Sequence, residues 1–447
     1  MGERRTVLAP TEGIDLMDEI VVHGGRPLHG VMPINGSKNA ALPIMAAALL
    51  TTDTTVLHKS PRLRDVETMA QILRALGVSV DWAGPQTLKL GGAASGVTAP
   101  LDLVSQMRGS ICVLGPLLAT RGSAVLPLPG GCVLGKRPID LHIKGLRALG
   151  AKIRVRKSCI YAHARRLRGA RVNLAGPHGS TVLGTANVMM AAALAEGQTV
   201  IEEAACEPET QDLAHFLNAC GARVSGAGTR TVTVDGVECL HGVEYSIIPD
   251  RIEAGTFLAA VAAAGGAVTL EGARPEHMRA NIEVLERMGV EIRAHGDALV
   301  VARSETLKPV EFATAPYPGI PTDIHPQISV LLCLAEGSST VHEGVYPRRF
   351  TYVSELNRMG ARISHRGAIA AFQGVRALRG AAVHAPDLRT GAALVLAGLA
   401  AHGRTVITGV DQIDRGHQAL EQRLRSVGAD INRRQSEAAG YPARKSA

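Results

Sequence analysis

Between Pro129 and Asp140 the chain reads Pro129-Gly-Gly-Cys-Val-Leu-Gly-Lys-Arg-Pro-Ile-Asp140. A thiol, two cations and a carboxylate thus fall within nine residues. Lys136 and Arg137 give Cys132 the electropositive setting that favours thiolate and makes a cysteine reactive. Gly130, Gly131 and Gly135 allow the main chain to come close to a ligand. The stretch also nearly matches a nucleotide P-loop, with Gly130, four residues and then Gly135-Lys136. That loop needs Ser or Thr next, to hold Mg²⁺, and the chain has Arg137. P-loop chemistry is therefore disfavoured. The plain alternative to a reactive thiol is a solvated glycine turn that happens to carry a cysteine.

Such a loop must be held by regular elements, and the chain repeats one unit six times. An amphipathic helical pattern, a glycine and a short β-prone run recur around Gly77, Gly150, Gly221, Gly289, Gly360 and Gly428, at intervals of 68 to 73 residues. Glycine just past a helix predicts a left-handed cap. The period is too long for common solenoid repeats and suits a βαβαββ-sized module. Each unit carries a second helical stretch, at 40–50, 109–120, 186–195, 254–264, 324–334 and 390–401, without a single Asp, Glu, Lys or Arg. Helices apolar all round are buried on all sides, so these six should form the cores. Lys38, Arg108, Arg251, Asp323 and Arg389 stand at or just before five of their starts. A cation there opposes the helix macrodipole, and helix N-termini bind anions. The set therefore points to anion sites facing a common cleft, although each charge alone reads as a boundary residue.

Three repeats per half put a domain boundary between Gly221 and Gly289, with 245–250 as the crossing. At 447 residues two domains are expected. Hydrophobic residues make up 46% and charged residues 20%, as in ordinary globular protein. Aromatics at 3% argue against base-stacking surfaces, and a net charge of +8 without a long basic run suits small anions better than a polyanion. Seven cysteines with no CxxC pair imply a reducing cytoplasm and neither disulfide framework nor zinc site. No apolar run is long enough to span a bilayer.

Several motifs are specific. They are Gly36-Ser-Lys-Asn-Ala-Ala-Leu-Pro43, Met107-Arg-Gly-Ser110, the 129–142 loop, Pro249-Asp-Arg-Ile-Glu253, Pro321-Thr-Asp323, Arg349-Phe350, Asp387-Leu-Arg389 and Ile413-Asp-Arg-Gly416. With six repeats and these motifs, from about Asp18 to Arg433, the chain resembles the enolpyruvyl transferases. The resemblance implies an α/β fold, a two-domain inside-out α/β barrel of six βαβαββ repeats, three per domain, with helices inside and sheets outside. The first domain would span 38–248 and the second 18–37 plus 249–433. Residues 1–17, a disordered extension, and the tail 434–447 would lie outside both.

The resemblance further implies transfer of the enolpyruvyl group of phosphoenolpyruvate to UDP-N-acetylglucosamine, committing sugar nucleotide to peptidoglycan. It implies no cofactor, metal, nucleic acid, membrane or obligate protein partner. Lys38, Arg137 and Arg415 would hold the phosphate, and Arg349 and Arg389 would face the carboxylate. Cys132 would protonate the methylene carbon and react with an epoxide phosphonate such as fosfomycin. Asp323 would accept the proton of the attacking hydroxyl. Lys38 and Arg415 would share in catalysis. Asn39, Arg108, Arg137, Pro138, Asp140, Thr322, Asp323 and Val345 would place the sugar nucleotide.

The chain departs from the family pattern at Thr181-Val-Leu-Gly-Thr-Ala-Asn187, at Cys206 where arginine is common, and at His417 where tyrosine is common. An aromatic that the family carries near Ile320 is also missing. Those departures keep open the same chemistry on a bare uridine nucleotide such as UMP. A non-catalytic paralogue that binds sugar nucleotide is the other alternative, and it would call for loss of Cys132, Asp323 or the arginines, all of which are present.

Overall fold

All six junction glycines adopt left-handed backbone, with φ from 91° to 103°. Each follows an outer helix: Arg64–Ala75, Asp140–Ala148, Pro208–Ala219, Arg279–Arg287, Val353–Arg358 or Leu420–Ser426. At every junction the glycine N–H returns to the carbonyl three residues back, and the next N–H to the one five back, as in Gly77 to Arg74 and Val78 to Leu73. This paired cap satisfies carbonyls that the helix end leaves open and turns the chain into a strand. The computed structural model describes residues 16–130, 138–177, 179–303 and 305–437.

The third repeat shows the unit whole. Strand Arg171–Asn173, core helix Val182–Ala192, strand Gln198–Glu202, outer helix Pro208–Ala219 and strands Arg223–Ser225 and Thr231–Asp235 follow in order. The first strand pairs parallel with Gln198–Glu202, and the last two complete the sheet antiparallel. Five repeats build such four-stranded sheets. The second has three strands, its fourth reduced to a single bridge between Thr98 and Val125. Three sheets borrow a strand from elsewhere in the chain. Glu244–Ser246 joins the first repeat, Leu28–Pro33 the fourth and Leu16–His23 the sixth.

Two hydrophobic cores result, one drawn from residues 40–248 and the other from 20–32 and 254–431. The core helices Lys38–Ala47, Leu114–Arg121, Val182–Ala192, Arg251–Ala264, His325–Leu334 and Leu388–Ala400 lie inside. The strands bury alternate residues against them. Among the described residues no helix is long and apolar enough to cross a membrane.

The second core helix differs from its expected course, because 108–113 is a 3₁₀ turn and the α-helix starts only at Leu114. Asn187, fully buried, is the reason. Its Oδ1 accepts from the Gly115 N–H at 2.8 Å and its Nδ2 donates to the Ile111 carbonyl at 3.0 Å. A continuous α-helix would join those two backbone groups to each other, and the Asn187 amide takes the place of that bond. A Cβ on Gly115 would lie 2.3 Å from the Asn187 carbonyl, so only glycine permits the approach. The third core helix also starts one turn earlier than expected, capped by Thr181 Oγ1 on the Gly184 N–H.

The terminal strands run further than the sequence reading ended them. Leu16 pairs with Glu437 and Met17 with Ser436, so strand pairing enters both segments assigned to the tails. Ion pairs of Arg434 with Glu19 and of Arg433 with Asp18 line this ladder, where an apolar alternation would otherwise have given it away.

Candidate active site

Of the cations expected at the starts of the core helices, Lys38 and Arg389 act on one another, but in a different electrostatic state from an open anion site. On the fourth helix, Asp250 Oδ1 accepts the Ile252 and Glu253 N–H groups at 2.8 and 3.0 Å, and its Oδ2 accepts the Lys38 N–H. On the sixth, Asp387 Oδ1 accepts the Arg389 and Thr390 N–H groups at 2.9 and 3.1 Å. These helix ends are therefore capped internally. A ligand anion would meet side-chain cations rather than backbone N–H groups. Arg251 leaves the set altogether. Both its Nε and Nη2 bind Glu209, at 2.9 and 3.2 Å, and its guanidinium lies over the Tyr317 ring.

Lys38 and Arg415 meet at a residue that sequence reasoning missed. Asp65, at the start of the outer helix Arg64–Ala75, accepts from Lys38 Nζ at 2.8 Å and from Arg415 Nε at 2.9 Å. Burial pushes the Asp65 carboxyl up, but the two cations outweigh it and hold it below its ordinary value. Burial pulls the Lys38 ammonium down, Asp65 opposes this, and Arg389 and Arg415 add to the pull. Among the described residues one carboxylate thus serves two cations, which is an excess of positive charge. Asp65→Ala is expected to destabilise the protein by about 3–5 kcal/mol, because it strands buried cations. Inorganic phosphate should raise the unfolding midpoint of the variant more than that of the wild type. An unchanged midpoint without phosphate would remove Asp65 from this account.

A second cluster gathers around Asp323, two residues before the helix His325–Leu334. Arg349 Nη2 reaches its Oδ1 at 2.8 Å and Arg389 Nη2 its Oδ2 at 2.7 Å. Arg349 and Arg389 are nearly buried, and the carboxylate is one-quarter exposed, so the open side of the pair belongs to Asp323. Arg349 Nε also donates to Thr322 Oγ1 at 3.1 Å, and that hydroxyl donates to Glu343 at 2.9 Å. Burial works against the Glu343 carboxylate. Hydrogen bonds from His325, the Tyr346 N–H and Thr314 outweigh it and hold the group at about 2. His325 in turn contacts the Tyr352 hydroxyl, 2.7 Å away, and that hydroxyl meets Ser329 at 2.9 Å. This buried chain fixes the segment that carries Thr322 and Asp323. Sequence reasoning missed Glu343 as well.

The two clusters are electrostatic neighbours, since Arg389 acts on Lys38. The residues expected to place a sugar nucleotide are spread over several elements. Thr322 and Val345 are in the Asp323 neighbourhood, with the Val345 N–H on Glu343 at 2.9 Å. Arg108 Nη2 donates to the Pro138 carbonyl at 2.9 Å. Asn39 is half-buried on the first turn of its helix, and Asp140 is exposed at the start of another. Cys132 and Arg137 lie outside the described residues. Among the described residues no group of three or more His, Cys, Asp or Glu side chains is arranged to hold a metal ion.

Of the departures, Asn187 belongs to the core, and Cys206 is half-buried with its thiol toward the Ala204 carbonyl. His417 is buried, and neither ring nitrogen has a hydrogen-bond partner among the described residues.

The profile of the EPSP synthase (3-phosphoshikimate 1-carboxyvinyltransferase) family matches residues 22–424. A UDP-N-acetylglucosamine 1-carboxyvinyltransferase of Methylacidiphilum infernorum is 50% identical over 417 residues, covering 93% of this chain and 99% of that protein. One of Gluconacetobacter diazotrophicus is 48% identical over 420 residues, with the same coverage. Among solved structures, the enolpyruvyl transferase NikO from Streptomyces tendae has a TM-score of 0.86 at 25% identity, covering 94% of this chain and 100% of that one.

Proposed function

The chain belongs to the EPSP synthase family of enolpyruvyl transferases, and from that premise we propose that it transfers the enolpyruvyl group of phosphoenolpyruvate to the 3-hydroxyl of UDP-N-acetylglucosamine, releasing phosphate. Identity of 50% over 93% of the chain to a relative named for that activity carries this choice of acceptor. The two cores and their exchanged strands support a division into two domains, 38–248 and 18–37 with 249–433.

The proposed chemistry is addition followed by elimination. The sugar hydroxyl adds to C2 of phosphoenolpyruvate while Cys132 delivers a proton to the methylene carbon. Asp323 takes the proton that the hydroxyl gives up. The tetrahedral ketal then loses phosphate and a methyl proton, which restores the vinyl group on the sugar. Lys38, Arg137 and Arg415 hold the phosphate, and the excess of cations over Asp65 supports that role. Arg349 and Arg389 face the carboxylate of phosphoenolpyruvate. Both guanidiniums are on Asp323, so a substrate carboxylate competes for them and frees Asp323 lone pairs for the hydroxyl proton. Thr322 and Val345, fixed through Glu343, and Asn39, Arg108, Pro138 and Asp140 position the sugar nucleotide. The reaction as written uses no cofactor and is placed in the cytoplasm.

Phosphate release during incubation with phosphoenolpyruvate and, in parallel, UDP-N-acetylglucosamine or UMP tests this reading. Release with the sugar nucleotide alone is expected. Release with UMP alone would transfer the chemistry to the bare nucleotide, and release with neither would leave a binding protein.

A further inference from the structure

The mechanism above leaves one buried titratable side chain in the site without a task. His417 follows the Asp414-Arg-Gly turn, its N–H on the Ile413 carbonyl at 3.0 Å. Its neighbours place the ring. Arg415, two residues earlier, is bound to Asp65, and Gly416 lies so close to Leu388 that a Cβ there would sit 2.6 Å from the leucine side chain. The residue after Leu388 is Arg389. The residue is 2% exposed, and among the described residues neither ring nitrogen has a hydrogen-bond partner. Burial, then Arg389, Lys38 and Arg423, hold the imidazole neutral, with Asp323 the opposing charge.

A buried donor and acceptor left unmade destabilise a fold, and an apolar side chain of similar volume would relieve that cost. An orphaned ring beside three cations and a catalytic carboxylate is therefore better placed for a ligand than for the fold. We propose that His417 is a phosphoenolpyruvate-binding residue, whose ring nitrogens find their partners when the anion enters among Lys38, Arg389 and Asp323. The proposal rests on the functional reading above. The neutral ring has one N–H donor, which fits an anion oxygen. Its bare nitrogen fits a guanidinium N–H, and Arg389 is the cation that acts on the ring most strongly.

Two variants test it. His417→Leu removes both nitrogens at similar volume, and His417→Gln keeps an N–H donor. In the leucine variant the KM for phosphoenolpyruvate, and its Kd by calorimetry, should rise roughly ten- to a hundredfold, the effect of losing a hydrogen bond to a charged group. The KM for UDP-N-acetylglucosamine should stay within about twofold, and the unfolding midpoint should hold or rise. The glutamine variant should return to within about threefold of wild type. In protein labelled with ¹⁵N-histidine, one ring resonance absent from the leucine variant should shift on adding phosphoenolpyruvate. Unchanged phosphoenolpyruvate binding in both variants, with wild type turning over, overturns the His417 proposal alone. A leucine variant that loses stability together with phosphoenolpyruvate binding makes the residue a packing element and overturns it too. Wild-type protein that neither binds phosphoenolpyruvate nor turns over removes the functional reading, and this proposal with it.

Discussion

Asp323→Asn is expected to lower turnover by roughly 10²–10⁴-fold, the range for loss of a positioned general base. Both substrates should still bind. The variant removes the proton acceptor with almost no change of volume. Its cost is local, because one amide oxygen can still face a guanidinium while the NH₂ group turns toward the other as a mismatched donor. The Arg349 and Arg389 contacts, at 2.8 and 2.7 Å, are thereby loosened. A carboxylate substrate can then take the arginines without first displacing Asp323. The KM for phosphoenolpyruvate should accordingly stay level or fall while kcat collapses, a split that separates a lost base from a lost binding residue. Steady-state kinetics with calorimetry on each substrate reads both quantities. Near-wild-type turnover would mean that the base lies elsewhere or that the hydroxyl needs none.

The repeats were legible because their signals are local. A helix that ends in Gly77 or Gly360 needs left-handed backbone at that one residue, and a charge-free stretch of eleven residues can only be buried. The cations of the site were legible for the same reason, since Lys38 and Arg389 stand at the edges of those stretches. What binds them was not. Asp65 looks like an ordinary first-turn carboxylate of an amphipathic helix, and only the approach of 61–65 to 411–418 puts it on Arg415 across the two cores. Arg251 matches Lys38 in position, yet Glu209 neutralises it from a repeat away. Asn187 carries no sign of replacing the Ile111–Gly115 backbone bond. Such pairings between distant segments leave no periodicity in one sequence. The outermost strand pairs were missed for another reason: Arg434-Gln-Ser-Glu437 has no apolar residue on either face, so alternation is silent on that strand.

Cys132→Ser should be nearly inactive, because a serine hydroxyl is far too weak an acid to protonate carbon near neutral pH. Cys132→Asp should keep some activity, since a carboxylic acid can still deliver the proton, and the contrast separates acid catalysis from packing. An epoxide phosphonate such as fosfomycin reads the same thiol as a nucleophile. Its anion is drawn to Lys38, Arg137 and Arg415, and its ring carbon to the thiolate, so one covalent adduct is expected on Cys132 and none in Cys132→Asp. Four of the other six cysteines are poor competitors. Burial pushes the Cys112 and Cys220 thiols up to about 12 and raises Cys333 further, so little thiolate forms there. Burial and then Glu207 raise Cys206. Cys239 is exposed and would react with a neutral alkylating agent, which makes it the internal control for anion direction. The two roles of Cys132 require opposite protonation states. Lys136 and Arg137 favour thiolate in the empty site, whereas a bound phosphate cancels arginine charge and favours the neutral thiol. Phosphoenolpyruvate should therefore slow labelling by a neutral reagent as well as by the phosphonate. Peptide mass spectrometry locates the label. An adduct elsewhere, or normal turnover by Cys132→Ser, would make the 129–140 stretch structural.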